Sequence, residues 1–306
     1  MKAAARRLIS MIPVLIGVML LIFIMLRIVP GDPVSILLGE HYSQETIDRL
    51  TKAMNLDKPL LQQFFSYLGG VLRGDLGISY SMKKPVTDLI MEAFPHTLKL
   101  ALMAAVISWI IGIAAGIISA VTQNHAPDRI FMGFSLAGVS VPIFMSALVL
   151  QYLFAFKMKL VPLTSDGSTA SLILPAVALG WNSAGGIARM TRSSLVEVMQ
   201  ADYIDTARAK GLRRGAVIFG HALKNALLPV VTMMALRISS LMSGAVVTES
   251  IFSIPGIGRL ATSAIQSRDM PLLQGTILFS TVIVILGNLA ADLLYSVIDP
   301  RIRREG

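Results

Sequence analysis

Arg237 is the one charged side chain in an otherwise apolar run from Asn225 to Thr248. It stands eight residues beyond Pro229, about 12 Å along a helix at the usual rise. A guanidinium at such a place has two uses. It can pair with a carboxylate of the protein itself, Asp292 being a candidate, or it can recognise the carboxylate of an anionic solute. It would repel a bare divalent cation. The other residues of chemical interest exclude more than they support. Cysteine is absent, which removes disulfides, thiolate ligands and a thiol nucleophile together. His41, His96, His125 and His221 offer no two ligands at helical spacing, so no metal site is expected. No H-E-x-x-H and no G-x-S-x-G occurs, so neither a zinc hydrolase nor a serine hydrolase is expected. No G-x-x-x-x-G-K-[ST] loop occurs either, so the chain has no phosphate cradle for ATP. What remains is recognition and contact, with no bond made or broken.

A second cluster lies in "YIDTARAKGLRRGAVIFGHALKNALLPVV", residues 203–231, a basic stretch between two apolar ones. Ile204, Ala207 and Ala209 are its small or apolar positions, and Asp205, Arg208 and Lys210 its charged ones. Gly211 supplies a turn that needs positive φ. The spacing predicts a helix over Ala201 to Lys210, a glycine turn, and a second helix over Arg213 to Ala226. Leu228-Pro229 then leads into the next apolar run. The whole loop, Arg189 to Lys224, is too long for a plain connection, and it is expected to lie on the membrane surface.

The elements that must position these residues follow from composition. The chain has 306 residues, 54% hydrophobic and 15% charged, with positive mean hydropathy, which is a membrane protein's balance. About 20 apolar residues cross a bilayer, and six such runs are present: Leu8 to Leu26, Leu100 to Pro127, Ile130 to Phe156, Gly167 to Ala188, Asn225 to Thr248 and Met270 to Ala291. The first follows a basic start like that of a signal peptide, but no A-x-A-like site follows it, so it is read as an uncleaved helix. Lys2, Arg6, Arg7, the Arg189 to Lys224 loop, and Arg301, Arg303 and Arg304 all fall on one side, which the positive-inside rule makes cytoplasmic. Both termini are therefore expected in the cytoplasm. The net charge of +9 is read as topological; no aromatic-interleaved basic groove suggests nucleic acid.

Residues 30–95 hold eight acidic and six basic residues and face outward. Ser43 is an N-cap candidate for a short amphipathic helix ending near Leu56. A second helix carries Leu60, Leu61, Phe64, Phe65, Tyr67, Leu68 and Leu72, stops at Gly74, and gives way to a loop with a short extended piece. Ser140, Pro142, Ser239 and Ser240 are small or kinking positions inside spans three and five. They either loosen the packing or allow close helix contact. The expected architecture is an all-α membrane protein of six transmembrane helices with a small extracytoplasmic domain between helices 1 and 2. Its divisions are 1–29, 30–95, and a five-helix core at 96–306 that contains the cytoplasmic loop 190–228.

Asp205-Thr206-Ala207, three further residues, and Gly211 resemble the E-A-A-x-x-x-G loop of permease subunits of binding-protein-dependent ABC importers. Asp stands for Glu and Thr for Ala, departures typical of the dipeptide, oligopeptide and nickel branch. "VPGDP" (29–33), "GDLGISY" (74–80), "TARAKG" (206–211), "ALLPVVT" (226–232), "ESIFSIPGIGRL" (249–260) and "DPRIRR" (299–304) all look like that branch's signatures, in order along the whole chain. The resemblance implies a type I ABC importer permease fold in a bacterial plasma (inner) membrane. It implies half of a translocation pathway for dipeptides or oligopeptides, with glutathione or nickel and metal-chelate complexes as the alternatives. The implied partners are a second, non-identical permease, two cytoplasmic ATPase subunits that use ATP and Mg, an extracytoplasmic solute-binding protein, and membrane lipid. The chain itself would bind no cofactor. Asp205, Thr206, Ala207, Arg208, Lys210 and Gly211 would form the ATPase-coupling loop. The small face of Ala207 and Gly211 would allow close approach, and Arg208 and Lys210 would pair with acidic groups of the ATPase. Arg237, Ser240 and Ser140 are the candidate pathway residues, although Arg237 could instead pair with groups of the partner permease.

Overall fold

The computed structural model of the chain describes residues 2–28, 45, 48, 51–52, 57–242 and 244–298, with side chains described for those between 12 and 291 except residue 26. In chain order the helices are α1 (Lys2–Ile28), α2 (Leu60–Leu72), α3 (Val86–Val121), α4 (Ala126–Ser140), α5 (Ile143–Lys157, closing in π-helical turns), α6 (Ile173–Val198), α7 (Asp202–Ala209), α8 (Arg214–Met242), α9 (Val246–Ile251), α10 (Ile257–Gln266) and α11 (Met270–Ile298). Among the described residues, four helices are long and apolar enough to cross a membrane: Val86–Val121, Ala170–Val198, Arg214–Met242 and Met270–Ala291. The pair α4 and α5 makes a fifth crossing if counted as one span. The remaining apolar run falls on α1, a helix of 27 residues. Each of the six predicted runs is helical over most of its length, but Asn225 to Thr248 is not one helix: α8 stops at Met242, and α9 starts at Val246 after Gly244 at φ +112°. The first expected helix of the outward segment, Ser43 to Leu56, lies largely outside the described residues. The second is α2, followed by Gly74 at φ +79° and an isolated antiparallel bridge between Ile78 and Pro85.

Three further expectations are corrected. The run Ile130 to Phe156 is not one straight span, since α4 and α5 meet at an angle of 105°. Pro142 has no N–H to continue α4, and its ring holds Val141 extended, at φ −77° and ψ 127°. The helix restarts where Met145 and Ser146 donate to the Pro142 carbonyl. The second loop helix is also not a separate element, because Arg214–Met242 runs unbroken through Pro229 into the membrane span. Finally, α6 continues to Val198, far past Ala188, since no glycine or proline interrupts residues 187–210. The long loop expected after the fourth run therefore shrinks to the connection that holds α7.

The chain divides into two compact units, Met1–Thr97 with Pro255–Ile283 and Leu98–Ile254 with Val284–Gly306. In the first, Val86, Leu89, Ile90 and Ala93 pack against Ile257, Ala264, Leu272 and Leu273. A second cluster joins Met19 and Phe23 of α1 to Phe64 of α2 and Leu278 of α11. The fully buried Asp269 ties the residue 79–81 loop to the start of α11. One carboxylate oxygen accepts from the Ser79 hydroxyl at 2.6 Å and from the Ser81 amide and hydroxyl at 2.9 and 2.8 Å, while the other accepts from the Leu272 amide at 3.2 Å. A buried carboxylate with its lone pairs this well occupied needs no cation beside it. Burial pushes the neighbouring Tyr80 phenol up to about 12, with the Asp269 charge adding to the effect and Arg27 opposing it.

In the second unit α6 is the buried element. Within its membrane-crossing window 72% is buried, against 17% for Arg214–Met242 and 39% for Val86–Val121. Small residues permit this. A side-chain carbon at Gly116 of α3 would sit 2.5 Å from Thr191 Cβ and 2.8 Å from the Ala188 carbonyl oxygen, and one at Gly185 of α6 would collide with the Ser135 carbonyl of α4. Lipid tails are as apolar as leucine, so helices in a bilayer gain from contact only through close packing of this kind. Gly185→Leu is expected to cost about 1–3 kcal/mol by overpacking, read as a lower thermal midpoint in detergent. Gly133→Leu, on open surface of the same α4 helix, should leave the midpoint unchanged.

Candidate functional site

The helix α7 begins after Ala201, whose backbone is extended, and carries Asp202 and Asp205 in its first turn and Arg208 in its last. Those signs match the helix macrodipole at both ends. It closes with the Gly211 amide donating to the Arg208 carbonyl at 2.9 Å, with Gly211 at φ +77°. The space where a Gly211 side chain would go is open. Glycine is required there by backbone angle and not by crowding.

Ile204 is fully buried and Ala207 nearly so, in one cluster with Ala120 of α3, Leu195 of α6, and Val217, Ala222 and Ala226 of α8. This corrects the expectation for Ala207. Its small side chain lets α7 approach its own chain, because it sits three residues beyond Ile204 on the same helix face. Asp205, Thr206, Arg208, Lys210 and Gly211 are all exposed. The Arg208 guanidinium donates to Asp205 at 2.9 Å and to the Met199 carbonyl at 3.3 Å, and the Thr206 hydroxyl donates to the Asp202 carbonyl at 3.1 Å. An exposed pair of this kind contributes at most about 1 kcal/mol, so Arg208 can exchange Asp205 for another partner at little cost. Two further bonds brace the segment. Asn225 donates to the Tyr203 hydroxyl at 2.8 Å, and Arg214 to the Val121 carbonyl at 2.9 Å. The result is a short polar helix, fixed on one side and uncovered on the other.

The three candidate pathway residues are not gathered into one cluster. Arg237 is exposed on α8, with its Nη2 within 3.6 Å of the place a side-chain carbon would take at Gly186. Among the described residues it makes no hydrogen bond or ion pair, and the side chain of its candidate partner Asp292 lies outside them. Ser240, one turn further along α8, is also exposed and is hydrogen-bonded. Ser140 is the last residue of α4, at the 105° bend, and no hydrogen bond joins it to Arg237. In the first unit, Leu89, Glu92, His96, Pro255, Arg259 and Leu260 line part of an open cavity of about 500 Å³. Among the described residues no group of histidine, aspartate and glutamate side chains could hold a metal.

One interaction had escaped the sequence. Asp128, at the first turn of α4, receives both arms of Arg192 from α6: Nε to Oδ1 and Nη2 to Oδ2, each at 2.7 Å. The Asn124 amide adds a bond at 2.9 Å. The aspartate side chain is only 6% exposed. Both residues lie outside the charge-free runs, where each reads as an ordinary helix-end charge. The only available hint was that opposite charges sat at two span ends on the same side.

Helices long and apolar enough to cross a membrane, with one short polar helix braced against them, fit an integral membrane protein. Comparison with known proteins says which kind. Residues 112–304 match the family described as binding-protein-dependent transport system inner membrane component, and residues 1–101 match the N-terminal family of such membrane components. The chain belongs to this family. It is a permease subunit of an ABC importer, a multi-pass inner-membrane protein that is not itself an enzyme; ATP is hydrolysed by a separate subunit. It is 41% identical over 332 aligned positions to the dipeptide transport system permease protein DppB of Escherichia coli (strain K12), with 98% of each chain covered. It is 40% identical over 298 positions to the glutathione transport system permease protein GsiC of Pectobacterium atrosepticum, with 97% of each covered. Among solved structures, the inward-facing MetNI methionine ABC transporter aligns with a TM-score of 0.61 at 18% identity, covering 71% of this chain and 100% of that one, which bears on the fold.

Removing one partner of the Asp128 pair leaves the other charge poorly compensated. Arg192→Met is expected to cost about 3 kcal/mol, measured as a lower thermal midpoint of the detergent-purified chain. Arg192→Lys, which keeps the charge but loses the two-armed geometry, should fall between the two.

Proposed function

We propose that this chain forms half of the translocation pathway of an ATP-driven importer for dipeptides or oligopeptides. The other half is a second, non-identical permease. Two ATPase subunits sit on the cytoplasmic side, where both termini also lie, and an extracytoplasmic binding protein delivers the solute. The chain holds no cofactor; ATP and Mg act on the ATPases. In this arrangement residues 30–95 are the extracytoplasmic insertion between α1 and the five-span core, and the cavity beside Glu92 and Arg259 opens on the side that meets the binding protein. The likeness to a dipeptide permease over nearly all of both chains supports the solute class. The nearly equal likeness to a glutathione permease supports a second reading, a glutathione importer.

The observation that carries the coupling role is the exposed surface of α7. Asp205, Thr206 and Arg208 of α7, with Lys210 and Gly211 in the turn that closes it, all lie outside, while the other face of α7 is locked into the protein. Such a surface suits a cleft in an ATPase subunit, with Arg208 and Lys210 meeting acidic groups. Nucleotide then shifts the permease between outward-open and inward-open states by binding one state better than the other. Arg237 supports the pathway reading. It sits on Arg214–Met242, the least buried of the four long spans. An exposed guanidinium facing lipid would cost at least about 3 kcal/mol, so the α8 face that carries Arg237 and Ser240 turns to the pathway, where Arg237 receives the carboxylate of a peptide.

Two results test this. Gly211→Val forces a β-branched residue to φ +77° and is expected to leave the chain in the membrane while lowering nucleotide-driven uptake at least about tenfold; normal uptake would remove the coupling role from this loop. Cells lacking the chain, complemented with the wild type or with Arg237→Ala, are compared for uptake of labelled dipeptides, longer peptides, glutathione and nickel. Peptide uptake restored by the wild type and not by the variant fits the proposal. Restoration confined to glutathione selects the second reading, and restoration confined to nickel moves the solute to a metal complex.

A further inference from the structure

Helix α2 is turned inside out for a helix in water. Gln63 is buried on the protein side at 8% exposure, while Leu61, Phe65 and Leu72 stand outside at 72%, 64% and 80%. At 3.6 residues per turn those three side chains fall within about 40° of one another. Phe64 and Val71 lie on the face toward α1, within the cluster of Met19 and Phe23. A third face carries Gln62, Ser66 and Arg73. The helix therefore has three sides: one against protein, one apolar and uncovered, and one polar.

Its height relative to the bilayer is set by α1. Phe64 meets Phe23 edge to face with ring centroids 5.3 Å apart. Gln63 accepts from Arg27 at 3.1 and 2.6 Å, and Arg27 lies over the Phe23 ring at 3.4 Å. Arg27 follows directly on the apolar stretch Ile12–Met25, so it marks where α1 leaves the hydrocarbon. A helix bonded to Arg27 is held at that boundary. About half a turn round α1 from Phe23, the apolar side chains Leu21, Met25 and Ile28 are exposed at 57%, 59% and 73%, so α1 presents an apolar face of its own up to that level.

We propose that α2 lies in the membrane–water interface at the C-terminal end of α1, with Leu61, Phe65 and Leu72 inserted among lipid acyl chains and Gln62 toward water. The insertion between the first two spans then acts as a lipid anchor as well as a connection. The occupant is lipid because Arg27, at the end of the apolar stretch of α1, holds α2 at the hydrocarbon boundary, where an uncovered apolar face meets acyl chains. This inference is independent of which solute is carried.

The chain holds no cysteine, so single thiols can be placed without background. Leu61→Cys, Phe65→Cys and Gln62→Cys are labelled with an environment-sensitive fluorophore. They are reconstituted, with cysteine-free partner subunits, into phosphatidylethanolamine and phosphatidylglycerol nanodiscs. Nitroxide-bearing lipids are expected to reduce emission at positions 61 and 65 about twofold or more, most strongly when the nitroxide is near the headgroup end of the chain, while aqueous iodide has little effect. Position 62 should show the reverse. Iodide quenching at 61 and 65 equal to that at 62 would place the face in water and overturn the proposal. So would protection of 61 and 65 from both quenchers, which would mean that another protein surface covers them.

Discussion

The fold of the second unit depends on how closely α6 can be approached. In a bilayer, apolar side chains gain nothing from leaving solvent for a neighbouring helix, so contact must come from fitted surfaces and from polar pairs shielded from lipid. Both converge on α6. Gly185 admits the backbone of α4, Gly116 of α3 admits Thr191, and Arg192 closes two-armed on Asp128. The glycines set the distance between helices and the ion pair sets their register. The bend between α4 and α5 follows from Pro142, so the part of the chain that touches α6 through α4 does not continue straight across the membrane.

Much of this could be read from the residues alone, because charge-free runs of the right length and the positions of glycine and proline are local signals. The six runs, α2 and the Gly211 turn are of that kind. What escaped was non-local or depended on facing. Asp128 and Arg192 are 64 residues apart, and each looked like a routine helix-end charge. Asp269 is buried by hydroxyls and an amide from residues 79–81, which no spacing rule connects to it. Ala207 was assigned to the wrong surface. Helical periodicity does put it on the face of Ile204, yet a single sequence does not say whether an apolar face meets its own chain or another. Pro142 was legible as a kinking position inside an apolar run, but one proline does not say how far the chain turns, which is 105° here.

The same distinction separates the parts of the site. The helix proposed for coupling is legible because its residues are consecutive. The proposed pathway would draw on Arg237 and Ser240 on α8 and on Ser140 at the end of α4, residues that this chain does not join by hydrogen bonds to one another. A pathway divided between two permeases leaves each half with polar groups on an exposed span, which fits the low burial of Arg214–Met242.

The seat of α7 has a mechanical consequence. Ile204 and Ala207 share one packed cluster with side chains of α3, α6 and α8, and close-packed protein is nearly incompressible over such short distances. A push on the outer face of α7 therefore cannot be absorbed by denting that cluster. Under the proposed coupling role it would be delivered as displacement to three helices at once, so that the small helix would work as a stiff lever seated in a shared socket, with its stroke spread over the bundle instead of being lost in a soft loop.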